Sequence, residues 1–194
     1  MIDVVELERL RKSFLLLSQA IDFPDREVLY LANEAERVVP DLPEKAALLA
    51  ILNEFAATPL QELQEDYTRI FELNKRITLY ATYYKLEDSR ERGGVLAKLK
   101  MLYEMFGVEL DLSEMTDYLP TMLEFLAVGK WSNGPVIDAR IEDLQLLFSV
   151  LEDGTYEILA HAKELENEPY IRLVRLIRVI LRYCVKHEGG DRDE

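Results

Sequence analysis

Apolar residues recur at spacings of three and four along almost the whole of this chain, and alternation of period two is nearly absent. That regularity decides the fold class. A chain patterned this way buries its apolar stripes by packing helix on helix, because a sheet would need the alternation that is missing. The connecting segments are short, no low-complexity stretch or internal repeat interrupts them, and 194 residues suffice for one domain with a sizeable core. The expectation is an all-α, bundle-like domain of about eight to ten helices over residues 1–188, followed by a flexible C-terminal tail over 189–194.

Breakers and caps set the element boundaries. Residues 3–21 read as one long helix ended by "DFPD", and 25–39 as a second that stops at Pro40. A third covers 44–57, and Pro59 opens a fourth whose stripe is Leu60, Leu63, Tyr67, Ile70 and Phe71. Asp88 or Ser89 is placed to cap the next, with Val95, Leu99, Leu102, Tyr103 and Phe106 facing the core and Gly107 left-handed past its end. Beyond the turn chemistry of "WSNGPV", Asp138 caps a helix to Glu152, "DG" at 153–154 breaks it, and another covers 155–166. Pro169 fits the first turn of a last helix reaching Lys186. The stretch "NKRITLYATYYKLE" (74–87) carries strand-like residues and stays open between helix and extended loop.

Composition then removes function classes. With 37 acidic and 23 basic residues the net charge is −14, which argues against a general grip on nucleic acid and suits either solubility or basic partners, between which charge alone does not choose. Cys184 is the only cysteine, so no intramolecular disulfide forms. The opening "MIDVVELERLRK" lacks the basic-then-apolar order of a secretory signal, and no apolar run approaches the roughly 18 residues a bilayer requires. A cytoplasmic protein without membrane insertion is expected. No Gly-rich phosphate loop, HExxH or GxSxG is present, and His161 and His187 with one cysteine are too few for a zinc site. Glu157 and His161 have the wrong spacing for a di-iron carboxylate centre. No metal, cofactor or catalytic activity is expected. Arg172, Arg175, Arg178, Arg182 and Lys186 form one basic stripe on the last helix; a membrane-surface or nucleic-acid helix has this look, but a solvated face meeting the acidic remainder is the simpler reading.

The stretch "TDYLPTMLEFLA" (116–127) concentrates what is left. With Asp117 as N-cap, Pro120 falls at the third helical position, and Leu119, Met122, Leu123 and Leu126 form the buried stripe. Asp117 and Glu124, seven residues apart, share one face, with Glu114 just upstream. Every methionine other than Met1 lies nearby: Met101, Met105, Met115 and Met122. Thioethers adapt to varied apolar ligands, which suggests a groove around residues 100–125.

"EMTDYLPTMLEFLA" resembles the Glu-Leu-Pro-Asp-(His/Tyr)-Leu-Pro…Leu-Glu-Phe-Leu signature of the nitrate reductase delta-subunit family (NarJ), which are molybdenum cofactor assembly chaperones within the broader redox-enzyme maturation chaperones. "EDYTRIFEL" (65–73) is similar to the family's Tyr-x-x-x-Phe helix, at Tyr67 and Phe71. "LYATYYKLEDSRERGGVLAKLKMLYEMFGVEL" (79–110) is similar to its tyrosine-rich stretch and Arg-x-Arg-Gly, at Arg90, Arg92 and Gly93. Glu114, Asp117, Leu123 and Glu124 occupy the signature's acidic and apolar positions, and Tyr118 stands where reductase chaperones more often carry His. Met115-Thr116 replaces the usual Leu-Pro and loosens the approach to the helix.

The resemblance implies an all-helical chaperone for the apo catalytic subunit of a respiratory nitrate reductase. It would bind the client's N-terminal segment and body and hold them competent for molybdenum cofactor and iron–sulfur insertion. Another molybdoenzyme client, or a permanent helical adaptor subunit, are the alternatives, and the oligomeric state stays open. On this reading Glu114, Asp117 and Glu124 face basic residues of the client peptide, Met101, Met105 and Met122 take its apolar side chains, and Tyr118 and Leu123 belong to the same peptide-binding site.

Overall fold

The computed structural model describes residues 1–110, 114–130 and 141–186. Among the described residues, eleven α-helices and two isolated antiparallel bridges make up an all-α architecture. Breaks split two of the expected helices. Residues 3–21 become α1 (Val4–Arg9) and α2 (Arg11–Ile21), and 25–39 become α3 (Arg26–Asn33) and α4 (Ala35–Val38). Asp3 and Asp25 cap α1 and α3, each accepting two backbone N–H groups. Next come α5 (Lys45–Ala57) and α6 (Leu60–Tyr67), which runs on into a π-helical turn, Thr68–Glu72. The undecided stretch 74–87 is an extended loop closed by a one-turn helix, α7 (Tyr83–Leu86).

Helix α8 (Arg90–Met105) starts at Ser89, whose Oγ accepts the Arg92 N–H, and gives way to Gly107 at φ +74°. After it come α9 (Leu119–Val128), α10 (Leu144–His161) and α11, whose first residue is Pro169 (Pro169–Tyr183). The turn "WSNGPV", the Asp138 cap, His187 and the tail 189–194 lie outside the described residues.

Two expectations are corrected here. "DG" at 153–154 does not break a helix, because α10 runs through it to His161. The reason is tertiary. A Cβ on Gly154 would lie 2.6 Å from the Cβ and 2.8 Å from the Cα of Ala81, so glycine is what lets α10 pass against the loop 79–82. Nor does Asp117 cap α9. The helix begins at Leu119 with Tyr118 before it, Pro120 is the second helical residue rather than the third, and no side chain caps this end.

Helices α2 and α9 pack on one another most extensively, α10 pairs with α11, and α5 joins α3 to α11. The first residues meet the segment after α11: Asp3 N–H donates to the Cys184 carbonyl at 2.7 Å and Lys186 N–H to that of Met1 at 2.8 Å. Cys184 is wholly buried there, and burial pushes its thiol up to about 12. The last helix stops at Tyr183 rather than reaching Lys186, and four of the five residues of the basic stripe meet carboxylates from other elements. Arg172 pairs with Glu54 (2.7 Å), Arg178 with Glu152, Arg182 with Glu152 (3.7 Å) and Lys186 with Asp3 (3.5 Å).

Candidate functional site

The segment before α9 is tied to the loop 79–82 by backbone. Ala81 N–H donates to the Asp117 carbonyl at 2.8 Å, and Leu119 N–H to that of Leu79 at 2.9 Å. This pairing turns the Asp117 side chain inward, where it is completely buried. A bare carboxylate there would be costly, so its partners define the arrangement. The Thr82 hydroxyl donates to Oδ2 at 2.5 Å, and Arg92 Nη2 donates to the same oxygen at 3.1 Å. Arg92 Nε donates in turn to Thr82 Oγ at 3.0 Å, so the one hydroxyl serves as donor and acceptor. Tyr103, buried in α8, donates to the Thr116 carbonyl at 2.6 Å and fixes the segment's other end.

The next residue turns outward. Tyr118 donates its hydroxyl proton to Asp22 Oδ1 at 2.9 Å and receives that of Tyr67 at 2.7 Å. Its ring packs on Tyr80, centroids 5.4 Å apart, while Tyr67 is held edge-on by Phe23, Phe71 and Tyr170. Burial, first among the causes, raises both phenols well above the ordinary tyrosine range, so both stay protonated at physiological pH.

Above this row opens a cleft of about 430 Å³ carrying three carboxylates: Asp22 from the end of α2, Glu114, and Glu124 on α9. Leu15, Tyr80, Met115, Tyr118 and Pro120 are among its other walls. The Glu124 carboxyl is held above the usual range, first by partial burial, then by the charges of Glu114 and Asp22. Across Leu15, Gln19 and Asp22 the cleft continues into a groove of about 640 Å³ between α2 and α3, lined by Leu16, Phe23, Val28, Leu31 and Val38. Leu15, Phe23 and Tyr30 are 40%, 44% and 62% exposed along it, and Lys12, Asp25, Arg26 and Glu27 are charged residues of the same lining. No cluster of His, Cys, Asp or Glu able to hold a metal occurs among the described residues.

The residues singled out from sequence therefore separate. Glu114, Tyr118, Pro120 and Glu124 meet in the cleft, whereas Asp117 lies behind it with Arg92. Met122 and Leu123 are fully buried in the core and present nothing to a ligand. Met101 and Met105 are exposed on α8 but belong to neither cavity wall, and Met115 is the methionine that does. Tyr67 and Phe71 support the tyrosine row, while Arg90 and Gly93 lie exposed in the first turns of α8. Sequence reasoning missed Asp22, Leu15, Phe23, Tyr80 and Thr82. Asp22 was read only as part of the "DFPD" stop, and Tyr118 is 96 residues away from it.

The model of the nitrate reductase delta subunit family matches residues 31–151 of this chain, more than half of it. The chain belongs to that family. A Bacillus subtilis relative described as a nitrate reductase molybdenum cofactor assembly chaperone, NarJ, is 30% identical over 155 residues, covering 77% of this chain and 84% of the relative. The NarJ assembly chaperone of Escherichia coli K12 is 25% identical over 155 residues, covering 71% of this chain and 65% of that protein. A crystal structure described as a redox enzyme maturation protein of Archaeoglobus fulgidus superposes with a TM-score of 0.60 at 21% identity, over 89% of this chain and 94% of that one; at that identity the likeness is one of fold.

Proposed function

We propose that this protein is an assembly chaperone, not a catalyst. It binds the apo catalytic subunit of a nitrate reductase through the client's N-terminal segment and keeps it competent for molybdenum cofactor and iron–sulfur insertion, both being the client's cargo. The relatives' roles support the client class. The observation that carries the docking mode is that the acidic cleft adjoins the α2–α3 groove, sharing Leu15, Gln19 and Asp22 with it. A short amphipathic segment with basic residues at one end and apolar residues beyond fits that order of surfaces. Charge alone gives little, because exposed pairs contribute about 0–1 kcal/mol each. Burial of a few apolar anchors at about 25 cal/mol per Å² supplies most of the affinity. No described helix is long and apolar enough to cross a membrane, and the proposed place of action is the cytoplasm.

The test is calorimetry with the N-terminal peptide of the same organism's nitrate reductase catalytic subunit. Leu15→Ser with Phe23→Ser should weaken binding roughly tenfold or more, and Glu124→Gln less, in line with the loss of buried apolar area against one exposed charge. Met101→Ser with Met105→Ser should leave it unchanged. Added salt should weaken binding modestly, since it screens only the charged share. Equal affinity in all variants would move the client elsewhere on the surface. Recovery of this chain as a constant component of the mature enzyme would replace the chaperone reading by a permanent adaptor.

A further inference from the structure

The acidic cleft has a back wall with a second cavity, of about 880 Å³, on its other side, and Tyr80 and Met115 line both. Arg92 lines only the rear cavity. Its guanidinium stands 6.0 Å from the centroid of Tyr80 and 5.7 Å from that of Tyr83, while bonded to Thr82 and Asp117. Three otherwise separate pieces of chain meet there: the loop 79–82, the first turn of α8 and the approach to α9. Two backbone hydrogen bonds join the first and last of these, Tyr103 and Thr116 tie α8 to the approach to α9, and Thr82, Arg92 and Asp117 form the one side-chain cluster among the described residues that links all three. Arg92 is 12% exposed and Asp117 not at all, so the pair works where water does not weaken it.

We infer that Arg92 is a positioning residue for client binding. Through Asp117 and Thr82 it sets the Tyr80 ring and the Tyr118 hydroxyl, and through Tyr118 it sets Asp22, so it shapes an acidic cleft that it never lines. This rests on the docking reading above. The two ways Arg92 can act differ in sign. As a nearby cation it repels a basic peptide, and neutralising it would tighten binding. As a clasp it holds the receiving wall, and removing it loosens the wall and weakens binding.

The test is a charge-conserving pair, Arg92→Gln with Asp117→Asn, which removes one charge of each sign and leaves no unpaired ion buried. Peptide affinity is measured by calorimetry well below the melting temperature, beside wild type and Arg92→Lys. Ring resonances of Tyr80 and Tyr118 are read by NMR in the free proteins. The expected result is roughly a tenfold loss of affinity in the pair, a magnitude ordinary for coupled neighbours, smaller in Arg92→Lys, with both tyrosine rings shifted. The pair should also lose little further on adding Tyr118→Phe, because the two changes act through one hydroxyl. Unchanged affinity with unchanged rings overturns the inference, and so does tighter binding. A pair that does not fold moves the measurement to Arg92→Lys, where unshifted rings overturn it equally. Failure of the wild-type chain to bind the peptide instead sinks the docking reading, and the ring resonances then decide the clasp alone.

Discussion

Replacing Gly154 by alanine tests the seam that positions the site, and the sign of the effect is what matters. In the interior of a helix, Gly→Ala ordinarily stabilises by about 0.5–1 kcal/mol, through backbone entropy. Gly154 lies inside α10, so propensity alone predicts a gain. Its new methyl group, however, would lie 2.6 Å from Ala81 Cβ, 2.8 Å from Ala81 Cα and 3.0 Å from Ala81 O. Carbon pairs prefer about 3.5–4.0 Å, and two of these three atoms are backbone, which cannot swing aside as a long side chain does. Overpacking of this kind costs about 1–3 kcal/mol. The net expectation is a loss of about 1–2 kcal/mol, a melting temperature lower by about 2–8 °C for a chain of this size.

Gly93→Ala is the internal control. Gly93 also lies within a helix, but among the described residues nothing approaches its Cβ position within 4 Å. It should gain about 0.5–1 kcal/mol. Thermal and urea unfolding followed by circular dichroism reads both variants. If Gly154→Ala stabilises as Gly93→Ala does, α10 does not press on the loop 79–82, and the account of the "DG" step inside a helix is wrong.

Glu124→Gln should raise stability at neutral pH while lowering peptide affinity. The folded carboxyl titrates above its unfolded value, so the ionised form is disfavoured in the native state; the gain should shrink as pH falls through the folded pKa and vanish below the ordinary glutamate value of about 4.3, as melting curves across pH will report. Arg172→Gln, Arg175→Gln and Arg178→Gln together should leave maturation of the client nearly unchanged, because the first and last meet this chain's own Glu54 and Glu152. Loss of maturation with an intact fold, read as nitrate reductase activity in cells, would make that face an interaction surface.

Helix positions were legible because the evidence for them is local. Ser89, Gly107, Pro59 and Pro169 act within a turn of where they stand, and each lies where caps and breakers place it. Asp117 misled for the same reason. Aspartate two residues before the start of an apolar stripe is what an N-cap looks like, and only the bridge between Tyr80 and Tyr118 turns it inward. Gly154 misled likewise, since Asp-Gly signals a turn until a backbone 73 residues away (154 less 81) requires the missing Cβ. The acidic cleft was half legible. Glu114 and Glu124 lie in one motif, but Asp22 and Leu15 reach it only through the packing of α2 on α9. Methionine clustering misled most. It identified a region but not a face, and in a helix the face decides between core, as at Met122, and solvent, as at Met101.

One motif thus carries carboxylates under opposite constraints, and the difference bears on how a client is held and let go. Asp117 has every strong partner it needs within the protein, so it contributes rigidity and is not free for a ligand. Glu114 and Glu124 belong to no ion pair among the described residues, and partial burial together with the charges of Glu114 and Asp22 makes charge on Glu124 costlier. An empty cleft of this kind holds unrelieved repulsion. A basic segment gains more from entering it than from meeting an isolated surface carboxylate, because it also relieves carboxylates already crowded together. Tyr118, itself bonded to Tyr67, holds Asp22 beside them by donating to its carboxylate. The apolar groove adds area but no such penalty when vacant. On the proposed docking mode, screening at the acidic end should therefore loosen a client only modestly, and full release also requires its apolar side chains to leave the groove.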